Sequence, residues 1–380
     1  MQKNILSKKI DIKWFILLGA VLHLISTIYT VGFYNQDEHF QVLSPLETLL
    51  GINNSLTWEF SYRIRPWLQP YFYFYIAQIL NFLQISDPFL LTFFLRLISS
   101  IIGFCSILVL YDHFKSRLNI DNNFSKLVIF SFAFYAYLHA RTSSENLSIS
   151  MLIFGMIFLD KVFLKEDILK RKFIFSIISG VFLGLSIVLK FHLAVSVFFI
   201  YVWFLFFKLN IQNFKLILFN AFSIISILLI SLVFDYFGYN QINNTYYNYF
   251  YANFVEKWFE SFGIDPWWYY LKLFLERFYP PINIIILVSI IFFWIREYKN
   301  IITFVSLPVL IFLSLLSHKE LRFIFPILIF SPFFICYFFS NIRINLVKNI
   351  IKYTYILFNL IFLITIFIPA TEQVKVYQFL

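Results

Sequence analysis

Apolar runs of roughly 17–25 residues recur along the whole chain, and that is the length a helix needs to cross a bilayer core. They begin with Trp14–Phe33 and continue near 88–111, 126–140, 147–164, 173–189, 193–207, 216–234, 282–295, 301–317, 321–340 and 349–369. The runs are unbroken, so they favour helices over the strands of an outer-membrane barrel, which alternate in polarity. Only 13% of residues are charged, about half the share a water-facing domain carries. The expectation is an all-α integral membrane protein, one polytopic domain over residues 1–380 with about eleven spans.

The net charge of +10 invites a nucleic-acid reading. The basic residues sit in short loops between apolar runs and form no continuous stripe, so no nucleic-acid partner is expected. Cys105 and Cys336 both lie inside apolar spans, against a disulfide framework or a cysteine metal site. Trp14–Phe33 is longer than a signal-peptide core and reads as a retained first span.

Lysine and arginine set the topology. With residues 1–13 cytoplasmic, the loops carrying Lys115/Arg117/Lys126, Lys165/Lys170/Arg171/Lys172, Lys208/Lys215, Arg296/Lys299 and Arg343/Lys348/Lys352 fall on one side. Counting 66–84 as a span would invert every later loop. That segment, with Pro66, Pro70 and many tyrosines, is therefore placed at the interface as an amphipathic helix. The opposite face receives the first outer loop, 34–87, and the long loop 235–281. It also receives Arg141–Glu145, Lys190–His192 and Ser317–Arg322.

Each outer cluster has a plain reading and a chemical one. Asp37, Glu38, His39 and Gln41 follow the first span. They form either a solvated helix end or a general base with supporting groups. Trp58 and Trp67 read as interfacial anchors, whereas Arg63 or Arg65 beside Glu59 has the fork that grips phosphate. Arg141 either snorkels or joins Thr142, Ser143 and Ser144 in a polar lip. Asp265-Pro266 resembles an N-cap with proline at N1, and Trp267 and Trp268 belong to an aromatic belt or a sugar-stacking face. His318, Lys319 and Arg322 are three cations on the side where positive-inside bias disfavours them, which suits a phosphate ligand. His23 and His192 read as packing or interfacial residues. No HExxH pattern, glycine-rich phosphate loop or G-x-S-x-G elbow occurs.

Several of these runs, in this order, resemble one family. Gln36-Asp37-Glu38-His39-Phe40-Gln41 is similar to the "PDEHFQ" of the dolichol-phosphate-mannose-dependent α-mannosyltransferases. These enzymes act in glycosylphosphatidylinositol-anchor and N-glycan precursor assembly. Leu56–Phe60 with Arg63–Pro66 resembles the family's "LTWEY…IRSW". Residues 235–270 resemble "D…FYG…NF…N…FG…PWHWY", and His318–Phe323 resembles "HKE-x-RF". The departures are Gln36 for proline, a loose match of Arg141–Asn146 to "RT-x-SN-x-x-E", and Lys190 where arginine is common.

The resemblance implies a GT-C type helical bundle with its active site on the lumenal or periplasmic face. It implies an inverting transfer of mannose from a polyprenyl-phosphate donor to a glycan or glycolipid acceptor. The membrane would be the plasma membrane in a bacterium or the endoplasmic reticulum in a eukaryote. On this reading Asp37 is the base and Glu38 orients it or the acceptor, with one of the two neighbouring carboxyls raised in pKa. His318, Lys319, Arg322 and Arg141 hold the donor phosphate. His39, Gln41, Glu59, Arg63, Arg65, Trp267 and Trp268 meet the acceptor, and no metal or cofactor is called for. The alternatives are a related transferase of another sugar and a lipid-linked-sugar flippase. A flippase would carry charges within its spans and often an internal repeat, and no repeat is visible.

Overall fold

The computed structural model describes residues 10–52, 56–164, 168–277 and 280–376; within them every regular element is helical. Residues 1–9 and Lys165, used above for topology, lie outside the described residues. The principal helices are α1 (Ile12–Tyr29), α2 (Leu68–Phe82), α3 (Pro88–Phe114), α4 (Asn123–Ser131) and α5 (Ala133–His139). They continue with α6 (Ser144–Val162), α7 (Leu169–Leu189), α8 (Leu193–Phe207) and α9 (Ile211–Tyr239). After the long loop come α10 (Ile282–Arg296), α11 (Ile301–Leu315), α12 (Ser331–Asn341) and α13 (Asn345–Leu363).

The helices begin where the sequence offers caps. Asp87 accepts from Leu90 N at 2.7 Å with Pro88 at the first helical position, which satisfies one orphan donor and removes another. Along α1 one face buries Phe15, Gly19, Leu22 and Ser26, while Trp14, Leu17, Val21 and Ile28 stay exposed. A helix apolar all round, with apolar residues outward, belongs against lipid. Inside the bundle, α6, α7 and α9 meet through small and polar side chains. Ser179 Oγ donates to Gly155 O at 2.8 Å, and Asn220 Nδ2 donates to Ser176 O and Ser179 Oγ at 3.0 Å each. Such contacts are the adhesive of a bundle whose solvent is as apolar as its core.

Contacts sort the loops into the two sets expected from lysine and arginine. At one end Lys126 pairs with Asp121 at 3.0 Å, Trp203 Nε1 donates to Lys299 O at 2.8 Å, and Tyr337 OH donates to Glu297 at 2.8 Å. At the other end Arg322 pairs with Asp37, Lys190 with Glu145, and Trp67 N donates to Asp235. The last run returns to this end, where Ala370 N donates to Val31 O at 2.8 Å.

The span count is less uniform than eleven equal crossings. Among the described residues five helices are individually long and apolar enough to cross a bilayer, or up to seven if each bent pair counts as one span. α10 and α11 are bent by 118° relative to each other, and the 321–340 run bends by 46° between 328 and 331. The 126–140 run breaks at Phe132, whose backbone is extended. Asn359 of α13 repairs the break, accepting from Ala133 N at 3.0 Å and donating to Ser131 O at 2.7 Å. Freed backbone groups in an apolar bundle need such partners. α2 lies along the Asp37 end with Tyr73, Ala77 and Leu80 buried and Tyr75, Ile79 and Phe82 exposed. Its Gln69 donates to Thr142 O at 2.8 Å, beside the outer clusters.

Candidate active site

After α1 the chain turns through Gly32, whose φ of +89° suits glycine. Asn35 then caps the short helix Gln36–Glu38 by accepting from Asp37 N at 3.1 Å, and a π-helical turn follows over His39–Leu43. Adjacent residues on a helix project about 100° apart, at 3.6 residues per turn. Asp37 and Glu38 accordingly have separate surroundings.

Asp37 faces the polar end. Its Oδ2 accepts from Gln41 Nε2 at 2.6 Å and pairs with Arg322 Nη1, and 25% of its side chain stays exposed. Burial pushes this carboxyl up, but Lys190, Arg322 and Arg65 together outweigh it and hold the group below the usual carboxylate range. Glu38 is 2% exposed. Its Oε1 accepts from Thr142 N at 2.9 Å and Thr142 Oγ1 at 3.0 Å, and Oε2 accepts from Tyr34 N at 3.3 Å. Burial raises its pKa despite nearby Arg141. One carboxyl of the two is raised, as the sequence suggested, but it is Glu38, and burial is the cause. Glu38 ties Tyr34 to Thr142 and makes no contact with the Asp37 carboxylate in these hydrogen bonds.

Arg322 is shared. Besides Asp37 it pairs with Glu320 through Nε at 2.5 Å and Nη2 at 2.9 Å, and Glu145 Oε1 lies 3.8 Å from Nη1. Lys190 Nζ meets that same Glu145 oxygen at 2.6 Å. The cluster expected at 318–322 divides in two. Arg322 reaches Asp37, whereas Lys319 donates to the carbonyls of Asp265, at 2.9 Å, and Leu316. His318 contacts Gly263 O and Glu320 Oε1, each at 3.2 Å. His318 and Lys319 thus fasten the 263–265 loop beside the site.

Arg141 is fully buried with its guanidinium 5.0 Å from the Tyr137 ring. Its Nη1 donates to Gly32 O at 3.1 Å and Nη2 to Thr30 O at 2.9 Å, so it grips the turn ahead of Asp37. Arg65 donates Nε and Nη2 to Glu59 Oε1 at 2.9 and 2.5 Å, and α9 anchors this stretch through Tyr239 OH donating to Arg65 O at 2.6 Å. Gly238 is required there, because a Cβ would stand 2.2 Å from the Trp67 ring. Arg63 lies at the surface, its carbonyl accepting from Asn243 Nδ2 at 3.3 Å. His39 stacks on Phe33 at 5.4 Å rather than joining the Asp37 network. Trp267 and Trp268 are 72% and 47% exposed.

The structure adds residues that the sequence reading passed over as site members. Glu145 and Lys190 form a buried pair touching Arg322. His192, read as packing, sits 5.5 Å from the Phe323 ring, and its ring nitrogens take no hydrogen bond among the described residues. Burial, then the charge of Lys190, pushes its imidazole down to about 3, so it is neutral at pH 7. The available signal was parity, which placed 190–192 on the same face as Asp37.

The arrangement is therefore a partly open carboxylate bound to a shared guanidinium, ringed by Lys190, Arg65 and a neutral imidazole. It can accept a proton from a hydroxyl and hold a phosphate. Comparison with solved structures finds the same fold in ArnT from Cupriavidus metallidurans bound to undecaprenyl phosphate. The TM-score is 0.63 at 12% identity, covering 88% of this chain and 61% of that one. The apo form of ArnT gives 0.56, covering 87% and 60%. Among curated proteins, GPI mannosyltransferase 3 of Debaryomyces hansenii is 23% identical over 338 residues, 83% of this chain and 57% of that protein. The Candida albicans protein of the same name is 23% identical over 81% and 60%. Mannosyltransferase APTG1 of Arabidopsis thaliana is 23% identical over 87% and 59%. The matched part of this chain thus spans 57–60% of the length of these relatives. The family model for Alg9-like mannosyltransferases matches residues 14–379, and this multi-pass, GT-C type membrane protein belongs to the Alg9-like mannosyltransferase family.

Proposed function

We propose that the protein transfers mannose from a polyprenyl-phosphate donor to a hydroxyl of a glycan or glycolipid, at the membrane face opposite its basic loops. The observation that carries this reading is the Asp37–Arg322 pair, a base and a phosphate ligand in contact at the polar end of the bundle. In the step itself the acceptor oxygen bonds to C1 of the sugar, and its proton passes to Asp37 Oδ2. The bond from C1 to the phosphate oxygen breaks with its electron pair, leaving polyprenyl phosphate with one more negative charge and an inverted anomeric carbon.

The resting pair implies an exchange of partners. While Arg322 holds Asp37, the carboxylate is a poor base. A donor phosphate competes for the guanidinium, whose fork suits phosphate. Asp37 then loses one of the cations that lower its pKa and becomes more basic as the donor arrives. Lys190 and Arg65 add positive potential where the leaving phosphate gains charge. Glu38 and Arg141 act through position, holding Tyr34, Thr142 and the 30–32 turn. His318 and Lys319 support the donor side by fastening the 263–265 loop, and the exposed Trp267 and Trp268 offer sugar-stacking faces. Gln41 steadies Asp37. The neutralising role falls to side-chain cations, and the reading includes no cofactor.

The test is a membrane assay with radiolabelled polyprenyl-phosphate mannose. Label appearing in a new acid-stable mannoside supports transfer, and label crossing the membrane without a new linkage supports a flippase instead.

A further inference from the structure

One partly buried imidazole at the polar end, that of His192, makes no hydrogen bond in the network around Asp37. Lys190, Phe191 and His192 form the turn between α7 and α8. The backbone of this turn is fixed at both ends. Lys190 N donates to Ser186 O at 3.2 Å, and Val195 N donates to His192 O at 3.2 Å. Each side chain of the turn then goes to a different partner. Lys190 pairs with Glu145 at 2.6 Å, and the Phe191 ring packs 4.7 Å from that of Tyr249. The imidazole of His192 reaches the Phe323 ring, 5.5 Å away. A side chain mounted between two helices is held more precisely than one on a free loop.

Arg322 meets the same aromatic ring. Its guanidinium carbon lies 5.8 Å from the centre of Phe323, so one ring carries both the imidazole and the proposed phosphate ligand. The charged side chains nearby are engaged: Asp37 with Gln41 and Arg322, Glu145 with Lys190, and Arg65 with Glu59. The nitrogens of His192 take no hydrogen bond among the described residues. Burial keeps this ring neutral at pH 7, and the charges of Lys190, Arg322 and Arg65 act in the same direction, against Glu145. A neutral imidazole offers one donor and one acceptor, whereas a carboxylate only accepts and a guanidinium only donates. A sugar hydroxyl both donates and accepts, and His192 is the side chain here that matches it.

Resting on the transferase reading, we propose that His192 recognises the C2 hydroxyl of the donor sugar and is a specificity-determining residue for that sugar. In the donor the phosphate oxygen is bonded to C1, and the hydroxyl on C2 is the sugar hydroxyl nearest to it. A side chain that shares a ring with the phosphate ligand meets that hydroxyl before any other. Mannose and glucose differ only in the direction of this hydroxyl, so an imidazole fixed beside it tells the two apart. Discrimination is strong where the protein group would otherwise be left unpaired in a desolvated site.

The test compares lipid ligands on the full-length protein in detergent. Equilibrium binding is measured for polyprenyl phosphate, polyprenyl-phosphate mannose and the 2-deoxy analogue of that donor, with wild type, His192→Phe and His192→Gln. Phenylalanine keeps a ring on Phe323 without a polar atom, and glutamine keeps a neutral donor and acceptor. Wild type should bind the mannose donor about 30-fold more tightly than the 2-deoxy analogue. In H192F the two should bind alike, while polyprenyl phosphate binds as it does to wild type, and H192Q should recover part of the preference. Equal affinity of wild type for the two donors, or a preference that persists in H192F, overturns the assignment. So does an H192F that weakens all three ligands alike, which marks a packing role. The same loss should appear in the ratio of kcat/KM values, where the intrinsic reactivity of the analogue is common to both proteins and cancels. Because the first arm reads binding, failure of the transferase reading would appear separately, as no mannoside from wild type with the binding preference intact.

Discussion

At the end of the bundle that bears the basic loops, Asp160 is closed off by His113 at 2.7 Å and by Arg117, with 6% of its side chain exposed. Lys126, 3% exposed, is held by Asp121 at 3.0 Å. At the opposite end one guanidinium is divided among Asp37, Glu320 and Glu145, and Asp37 keeps a quarter of its surface open. A neutral His192 stands beside this group without a hydrogen-bond partner among the described residues. Both ends bury ion pairs, and both bear the desolvation cost of doing so. The first end uses them to lock loops together. In the second, charges are shared and one acceptor remains reachable, so an incoming phosphate or hydroxyl can replace a protein partner. The difference separates a closed pair from one open to exchange better than charge content does.

The largest effect that would sharpen this contrast is expected from Arg322→Ala. It removes the proposed phosphate ligand and should lower kcat/KM for the lipid-phosphate donor about 10²-fold. Arg322→Lys should recover only part of this, since an ammonium lacks the guanidinium fork. Steady-state kinetics against donor concentration would show it, and an unchanged dependence on donor would remove Arg322 from that role. Asp160→Asn should behave oppositely. Taking the charge from a buried carboxylate held by buried His113 and by Arg117 should cost about 3 kcal/mol of stability, seen as a lower melting midpoint, while turnover per folded molecule is retained. A loss of turnover without a loss of stability would erase the distinction between the two ends.

A subtler effect is expected from Lys190→Met. Lys190 contributes to keeping the Asp37 carboxyl below its ordinary value, and the base works only when ionised. Wild-type rate should therefore stay flat through neutral pH and fall only below the usual carboxylate range. Removing the lysine should raise the Asp37 pKa and move this acid limb to higher pH. A limb that does not move would mean another group sets it. The smallest effect belongs to Arg63→Ala. With Arg63 at the surface and away from the shared charges, transfer should change by no more than about twofold. A large loss would extend the site outward to the 241–248 loop, which touches the Arg63 carbonyl.

Much of this contrast was legible in the sequence because it depends on periodicity and on the placement of charge along the chain. Apolar runs announced the helices, and the loops that lysine and arginine grouped together share contacts at one end of the bundle. Asp37 and Arg322 emerged from adjacent polar residues at span boundaries. What stayed hidden depends on side-chain direction and long-range contact. Glu38 neighbours Asp37 in sequence yet faces Thr142, 104 positions away. Arg141 resembled a phosphate ligand because nothing local reveals that its fork meets the carbonyls of Thr30 and Gly32. Glu145 and Lys190 carry no local sign of pairing, and His192 has no carboxylate near it in sequence. The break at Phe132 was equally invisible, since it rests on Asn359 from the far end of the chain.

The central claim is that Asp37, freed as Arg322 turns to the donor phosphate, takes the proton of the acceptor hydroxyl. The most direct test is turnover by Asp37→Asn, a near-isosteric change, in membranes supplied with polyprenyl-phosphate mannose. The variant is expected to fold, still bind the lipid donor and transfer about 10³-fold more slowly. Transfer at the wild-type rate would contradict it.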